Sequence, residues 1–279
     1  MFSAIDFKPL ISLLLLILVT FAASQMAYAC GAKSDCVIGD RNYRVLMPEG
    51  HDGKTKVGAV FFMHGWRGSP KGIIQNRNIS KAVSELGLAL VAPKAAYDDW
   101  AIPGAPHANV PVELEFFDKL VEDLPKRFPI DTSRMMATGF SAGGMMTWTL
   151  ACERSEMFAG FAPIAGTFWD PVPQSCSSPP AHLFHIHGMT DTMVPLTGRK
   201  IAHTKQGDVP TALSMYARHG NFSEAEDTWE PNLKFKCREL ENEKGKVLEL
   251  CLHPDGHLMR HEYITRSWNK LIQVGAFMN

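Results

Sequence analysis

The sequence has almost no net charge. Its 279 residues carry 28 Lys and Arg against 29 Asp and Glu, a formal balance of −1. It has no block of Lys or Arg and no acidic tail, so nothing resembles the electrostatic footprint of a nucleic-acid partner. No CxxC pair and no Cys/His cluster has zinc spacing, so neither a metal nor a cofactor is expected. Internal repeats and Ser/Thr/Pro-rich linkers are missing too. One catalytic domain commonly takes about 250 residues, and residues 30–279 are expected to form one. The apolar run 10–23 falls short of the ~20 residues that span a bilayer.

That short run reads instead as the core of an export signal. Lys8 gives it a thin positive start, and Asp6 weakens that start. Ala27-Tyr28-Ala29 is an A-x-A cleavage site, so residues 1–29 are expected to be a signal peptide and the mature chain to begin near Cys30. Secretion or delivery to a periplasm follows, with no stable membrane insertion after cleavage. An uncleaved anchor and a lipid on Cys30 are the competing readings. Six cysteines (Cys30, Cys36, Cys152, Cys176, Cys237 and Cys251) all lie beyond the apolar run. An even count in an exported chain suggests a disulfide set. The count alone leaves the pairing open; order along the chain favours 30–36, 152–176 and 237–251.

Several stretches are continuous apolar runs of strand length, 57–63, 88–93 and 158–164, and 182–187 reads as a further strand. Residues 41–48 alternate as a half-buried strand, and 233–252 read as two strands joined at 243–246. Between these lie helical patterns at 78–86, where Asn78-Ile79-Ser80 is the expected cap, and at 110–128, 211–219 and 262–277. Leu114, Phe117, Leu120, Val121 and Leu124 share one helix face. Buried strands alternating with helices imply an α/β fold: a mainly parallel, doubly wound sheet with helices on both faces.

Residues 135–144, MMATGFSAGG, stand out within this pattern. A strand-like run precedes Gly139-Phe140-Ser141-Ala142-Gly143 and a helix-like run follows it. Ser141 on such a sharp turn presents its hydroxyl beside helix N-terminal amides, and side chains in place of the glycines would crowd the turn. The plainer reading is a small-residue turn. A nucleophilic serine needs a base, an acid that orients the base, and amides for the oxyanion. Each is available just past a strand. Asp191 follows the 182–187 strand and is the expected acid, with Asp170 its main rival. His257 follows the last strand and is the expected base; His253 and His261 lie close by in sequence. The order Ser141, Asp191, His257 is that of serine α/β-hydrolases. The oxyanion donors are expected to be the N–H groups of Ala142 and Trp66. His64 is expected to hold its loop, and His185 and His187 to be structural. Trp100, Phe168 and Trp169, together with Trp66, are expected to line an apolar pocket, although ordinary packing explains any one of them as well.

These motifs resemble a known group. Gly139-Phe140-Ser141-Ala142-Gly143-Gly144-Met145-Met146 after Asp131-Thr132-Ser133-Arg134, the run from Leu150 to Glu153, the Phe158–Gly166 stretch and His187-Gly188-Met189-Thr190-Asp191-Thr192-Met193-Val194-Pro195 carry the likeness. It is to the secreted polyhydroxybutyrate depolymerase / feruloyl esterase (LpqC-like) group of α/β-hydrolases, over roughly the whole mature chain. The resemblance implies a triad of Ser141, Asp191 and His257. It also implies local disulfides, one of them joining Cys152 to the loop that holds Cys176. The group's Gly-Gly-Gly-His-x-Trp-Pro run is Pro254-Asp255-Gly256-His257-Leu258-Met259 here, without the Trp-Pro. The expected function is hydrolysis of carboxylic esters, either hydroxyalkanoate oligomers or aromatic or short-chain acyl esters, through an acyl-enzyme. The expected partner is a small or oligomeric ester. A secreted serine peptidase and an inactive binding protein of the same fold are the alternatives.

Overall fold

A computed structural model describes residues 30–107 and 110–277. The expected signal peptide lies outside the described residues. In chain order the elements are β1 (Cys36–Ile38), β2 (Arg41–Leu46), β3 (Val57–Met63), α1 (Pro70–Gln75), α2 (Arg77–Glu85), β4 (Ala89–Pro93), α3 (Val110–Arg127), β5 (Ile130–Phe140), α4 (Ala142–Glu153), β6 (Gly160–Ile164) and β7 (His182–Gly188). They continue with a small hairpin of β8 (Lys200–Ile201) and β9 (Thr204–Lys205), α5 (Val209–Gly220), β10 (Ser223–Glu230), β11 (Phe235–Glu241), β12 (Val247–His253) and α6 (His261–Gln273).

A 10-stranded sheet runs in the order β1-β2-β4-β3-β5-β6-β7-β12-β11-β10. From β4 to β12 all neighbours are parallel; β1, β2, β11 and β10 add antiparallel edges. The parallel centre follows from apolar runs that bury both faces. In β3, Ala59, Phe61 and Met63 join one apolar core while Val60 and Phe62 join the other. Leu114, Phe117, Leu120 and Leu124 of α3 and Ala212 and Met215 of α5 cover the first face. Ile79 and Val83 of α2 and Ile264, Trp268 and Leu271 of α6 cover the second. Helix α4 is buried from Ala142 to Cys152, which suits its near absence of a polar face.

Three features depart from the sequence reading. Ser69 accepts a bond from the Gly72 N–H and starts α1 one residue before Pro70, a helix not expected. Asn76, not the Asn78-Ile79-Ser80 run, caps α2 and takes the N–H groups of Asn78 and Ile79. Strand β10, SEAEDTWE, was not expected because it lacks an apolar alternation; it is a charged edge, where side chains need no buried partner.

The structure joins Cys30 to Cys36, Cys152 to Cys176 and Cys237 to Cys251. The second bridge ties the end of α4 to the loop before β7, a closure of 24 residues in sequence separation. In the chain-entropy account a loop of this size contributes roughly 3–4 kcal/mol. A Cys152→Ser/Cys176→Ser variant is therefore expected to lower the urea-unfolding free energy by about that amount. An unchanged midpoint would mean that the bridge restrains little in the unfolded chain.

Candidate active site

Ser141 sits where β5 gives way to α4. Its φ of 59° and ψ of −121° place a non-glycine residue in a costly backbone region. Two bonds hold it there: its N–H donates to the Ile164 carbonyl at 2.9 Å, and its carbonyl accepts from Met145 N–H at 3.0 Å. Close packing fixes the turn from below. A Cβ on Gly143 would lie 2.0 Å from the Met63 carbonyl oxygen at the end of β3, and one on Gly139 would lie 2.5 Å from Gly143 itself. The pentapeptide thus needs its glycines because two strands and a helix meet there with no room for a methyl group.

Asp191 lies in the loop after β7 and is buried. Its Oδ1 accepts from the N–H groups of Met193 and Val194, both at 2.8 Å. Its Oδ2 meets His257 Nδ1 at 2.7 Å. Burial works to raise the carboxyl, but the bonds from His257 and Val194 outweigh it and hold Asp191 below its ordinary value. An ionised carboxylate only accepts, so His257 Nδ1 carries the proton of this bond and the lone pair of a neutral ring sits on Nε2. The His257 ring packs on Phe140, the residue before Ser141, at 4.6 Å between centroids. The acid and base loops are laced together: Met189 N–H donates to the His253 carbonyl, and Thr190 Oγ1 to that of Pro254.

The rivals fall elsewhere. Asp170 is exposed, and its N–H donates to the Lys205 carbonyl. His253 is buried between Phe235 and Tyr263. His261 sits at 3.2 Å from Glu262. His64 takes the Ala95 N–H on Nε2, so its Nδ1 donates to the Gly65 carbonyl and steadies that loop.

A cavity of about 380 Å³ opens at Ser141 and Ala142, with Trp66, Met145, Trp169 and Val194 on its walls. Two expected lining residues are corrected. Trp100 is buried, with its indole N–H bonded to the His64 carbonyl at 2.8 Å, and Phe168 packs against Trp148 inside the core. Both follow strands in sequence, but their rings turn inward. Met145 was overlooked, although it lies one helical turn beyond Ser141; Arg199, Ile201 and Gln206 also reach the cavity, from a hairpin too short to leave a periodic signal. A larger depression of about 710 Å³ lies between α2, α6 and the β10–β11 turn and contains none of Ser141, Asp191 and His257.

Ala142 opens α4, so its N–H belongs to the first turn, where helix amides lack intrahelical acceptors. In the Trp66 loop the Arg67 N–H donates to the Asp98 carbonyl and the Gly68 N–H to that of Gly65.

Comparison with known proteins agrees with this architecture. The acetyl xylan esterase from Aspergillus awamori superposes with a TM-score of 0.58 at 12% identity, covering 83% of this chain and 94% of that one. The feruloyl esterase module from Clostridium thermocellum gives 0.53 at 14% identity, covering 83% and 82%. The chain has the α/β-hydrolase fold. Residues 112–171 match the model of the prolyl oligopeptidase family. Among relatives, the chain is 28% identical over 193 residues to a probable feruloyl esterase C of Aspergillus terreus, spanning 65% of this chain and 67% of that protein. It is 28% identical over 143 residues to the putative esterase NocK of Nocardia uniformis, covering 50% of this chain and 42% of the relative.

Burial depresses several histidines of the chain. His64 and His182 are each pushed down to about 4, His185 falls well below its ordinary value, and His187 and His253 are lowered. Each stays neutral in the fold but takes a proton when unfolded below its ordinary value near 6.5. The unfolded chain therefore binds more protons in that window, and stability present above pH 6.5 drains as pH falls toward 4. The expected result is a urea midpoint that drops steadily between pH 6.5 and 4. A flat midpoint across that range would contradict the burial argument.

Proposed function

We propose that this protein, which has the α/β-hydrolase fold, is an exported serine esterase. The observation that carries the proposal is the Asp191–His257 bond, with the His257 ring packed on the residue before a serine in a strained turn. In this reading Ser141 Oγ attacks the ester carbonyl while His257 Nε2 takes its proton. The Ala142 and Trp66 amides hold the oxyanion of the tetrahedral intermediate. His257 returns the proton to the departing alcohol, leaving an acyl group on Ser141. Water, deprotonated by His257, then attacks the acyl carbon, and the acid leaves as Ser141 recovers its proton. Asp191 keeps the His257 proton on Nδ1 throughout and stabilises the imidazolium.

The apolar cavity supports an aromatic or short hydroxyacyl group on the acid side of the ester. Similarity to feruloyl esterases supports the same class. Hydroxyalkanoate oligomers remain within it by the resemblance of the motifs. The three disulfides and the A-x-A leader support export. The match to the prolyl oligopeptidase family favours a peptidase as the second reading.

Hydrolysis of p-nitrophenyl butyrate and methyl ferulate, set beside a proline-containing peptide anilide, separates the two readings. The proposal expects turnover of the esters and none of the anilide. It expects Ser141→Ala to lose at least about 10³-fold in kcat and Asp191→Asn to lose up to about 10⁴-fold, because the amide favours the wrong tautomer of His257. Anilide cleavage exceeding ester cleavage would overturn the esterase reading.

A further inference from the structure

Two buried histidines that the mechanism leaves unused form a directed chain behind Asp191. It begins at Trp148 on α4, the helix that Ser141 starts. The indole Nε1–H, which can only donate, meets His185 Nδ1 at 3.1 Å. His185 is fully buried and neutral. With its Nδ1 occupied as an acceptor, its single proton must sit on Nε2. That nitrogen lies 2.9 Å from His187 Nδ1 and donates to it. His187, also buried and held neutral, is thereby forced to carry its proton on Nε2. The proton points to the Val194 carbonyl at 2.7 Å. Val194 is one of the two residues whose N–H binds Asp191 Oδ1, and Asp191 Oδ2 itself lies 3.6 Å from His187 Nε2. The two imidazoles stack at 5.1 Å between centroids.

We propose that His185 and His187 are positioning residues for the Asp191 loop: the indole of Trp148 sets the tautomer of both imidazoles, and His187 uses it to hold Val194 so that Asp191 faces His257. The proposal rests on the esterase reading and deepens it. It explains why two imidazoles occupy a buried strand where apolar side chains pack more cheaply. A reversed tautomer at either ring would set N–H against N–H or lone pair against lone pair, so the chain has one low-energy direction. That direction links the helix of the nucleophile to the loop of the acid through side chains alone.

The test compares His187→Leu with His187→Gln, whose side-chain N–H can still reach the Val194 carbonyl, using p-nitrophenyl butyrate. His187→Leu is expected to lower kcat about 10- to 100-fold with KM nearly unchanged, the scale of a small misplacement of a catalytic group. Its acidic limb of kcat/KM is expected to move to lower pH, because a displaced Asp191 stabilises the His257 imidazolium less. His187→Gln is expected to recover most of both. Trp148→Phe, which removes the tautomer-setting N–H and keeps an aromatic ring, serves if His187→Leu does not fold; a loss of about 3- to 10-fold in kcat with the same shift of the limb is expected. Wild-type kcat and limb in these variants would overturn the proposal. So would a loss of kcat matched by lowered thermal stability with no shift of the limb, since that marks packing alone. Turnover that survives Ser141→Ala would instead sink the esterase reading, and the positioning role with it.

Discussion

The contact on which the site depends is the meeting of Gly143 with the Met63 carbonyl. The first turn of α4 lies so close to the end of β3 that even a Cβ would collide. The same approach drives Ser141 to a positive φ and lifts its side chain out of the turn. Strain of this kind costs of order 1–3 kcal/mol and survives only where surrounding structure over-determines it. Here the over-determination comes from the parallel pairing of β3, β5 and β6 and from a helix buried on every side. The sheet therefore spends part of its packing on one half-buried serine.

The rest of the site is arranged around that point by loops at strand ends, where a parallel sheet collects its chemistry. Asp191 follows β7, His257 follows β12, and the neighbouring strands keep the two loops in register. Several histidines below the site are hydrogen-bonded and neutral. His64 links its own loop to Ala95 and Gly65, while Trp148, His185 and His187 form a second chain under Asp191.

Much of this was legible in the residues, for identifiable reasons. Apolar runs of strand length mark a parallel sheet, because strands buried on both faces cannot alternate. The small residues around Ser141 mark the turn, because only they fit. Asp191 was the expected acid and Asp170 its rival, since both follow strands. What the sequence does not display is the lacing of the 188–190 and 253–256 loops, a contact between segments far apart in sequence. The aromatic residues were harder still: Trp100 and Trp169 look alike in a loop, yet the first turns inward to bind the His64 carbonyl and the second faces the cavity. The edge strand β10 was hidden because a charged edge has no apolar period to read.

The central claim is that the strained turn turns one ordinary serine into a nucleophile. Covalent labelling of the folded protein with a fluorophosphonate, followed by peptide mapping, tests it most directly. The account predicts a single adduct, on Ser141, that forms quickly in the folded protein and is abolished by unfolding in urea. An adduct on another serine, or no adduct on the folded chain, would contradict it.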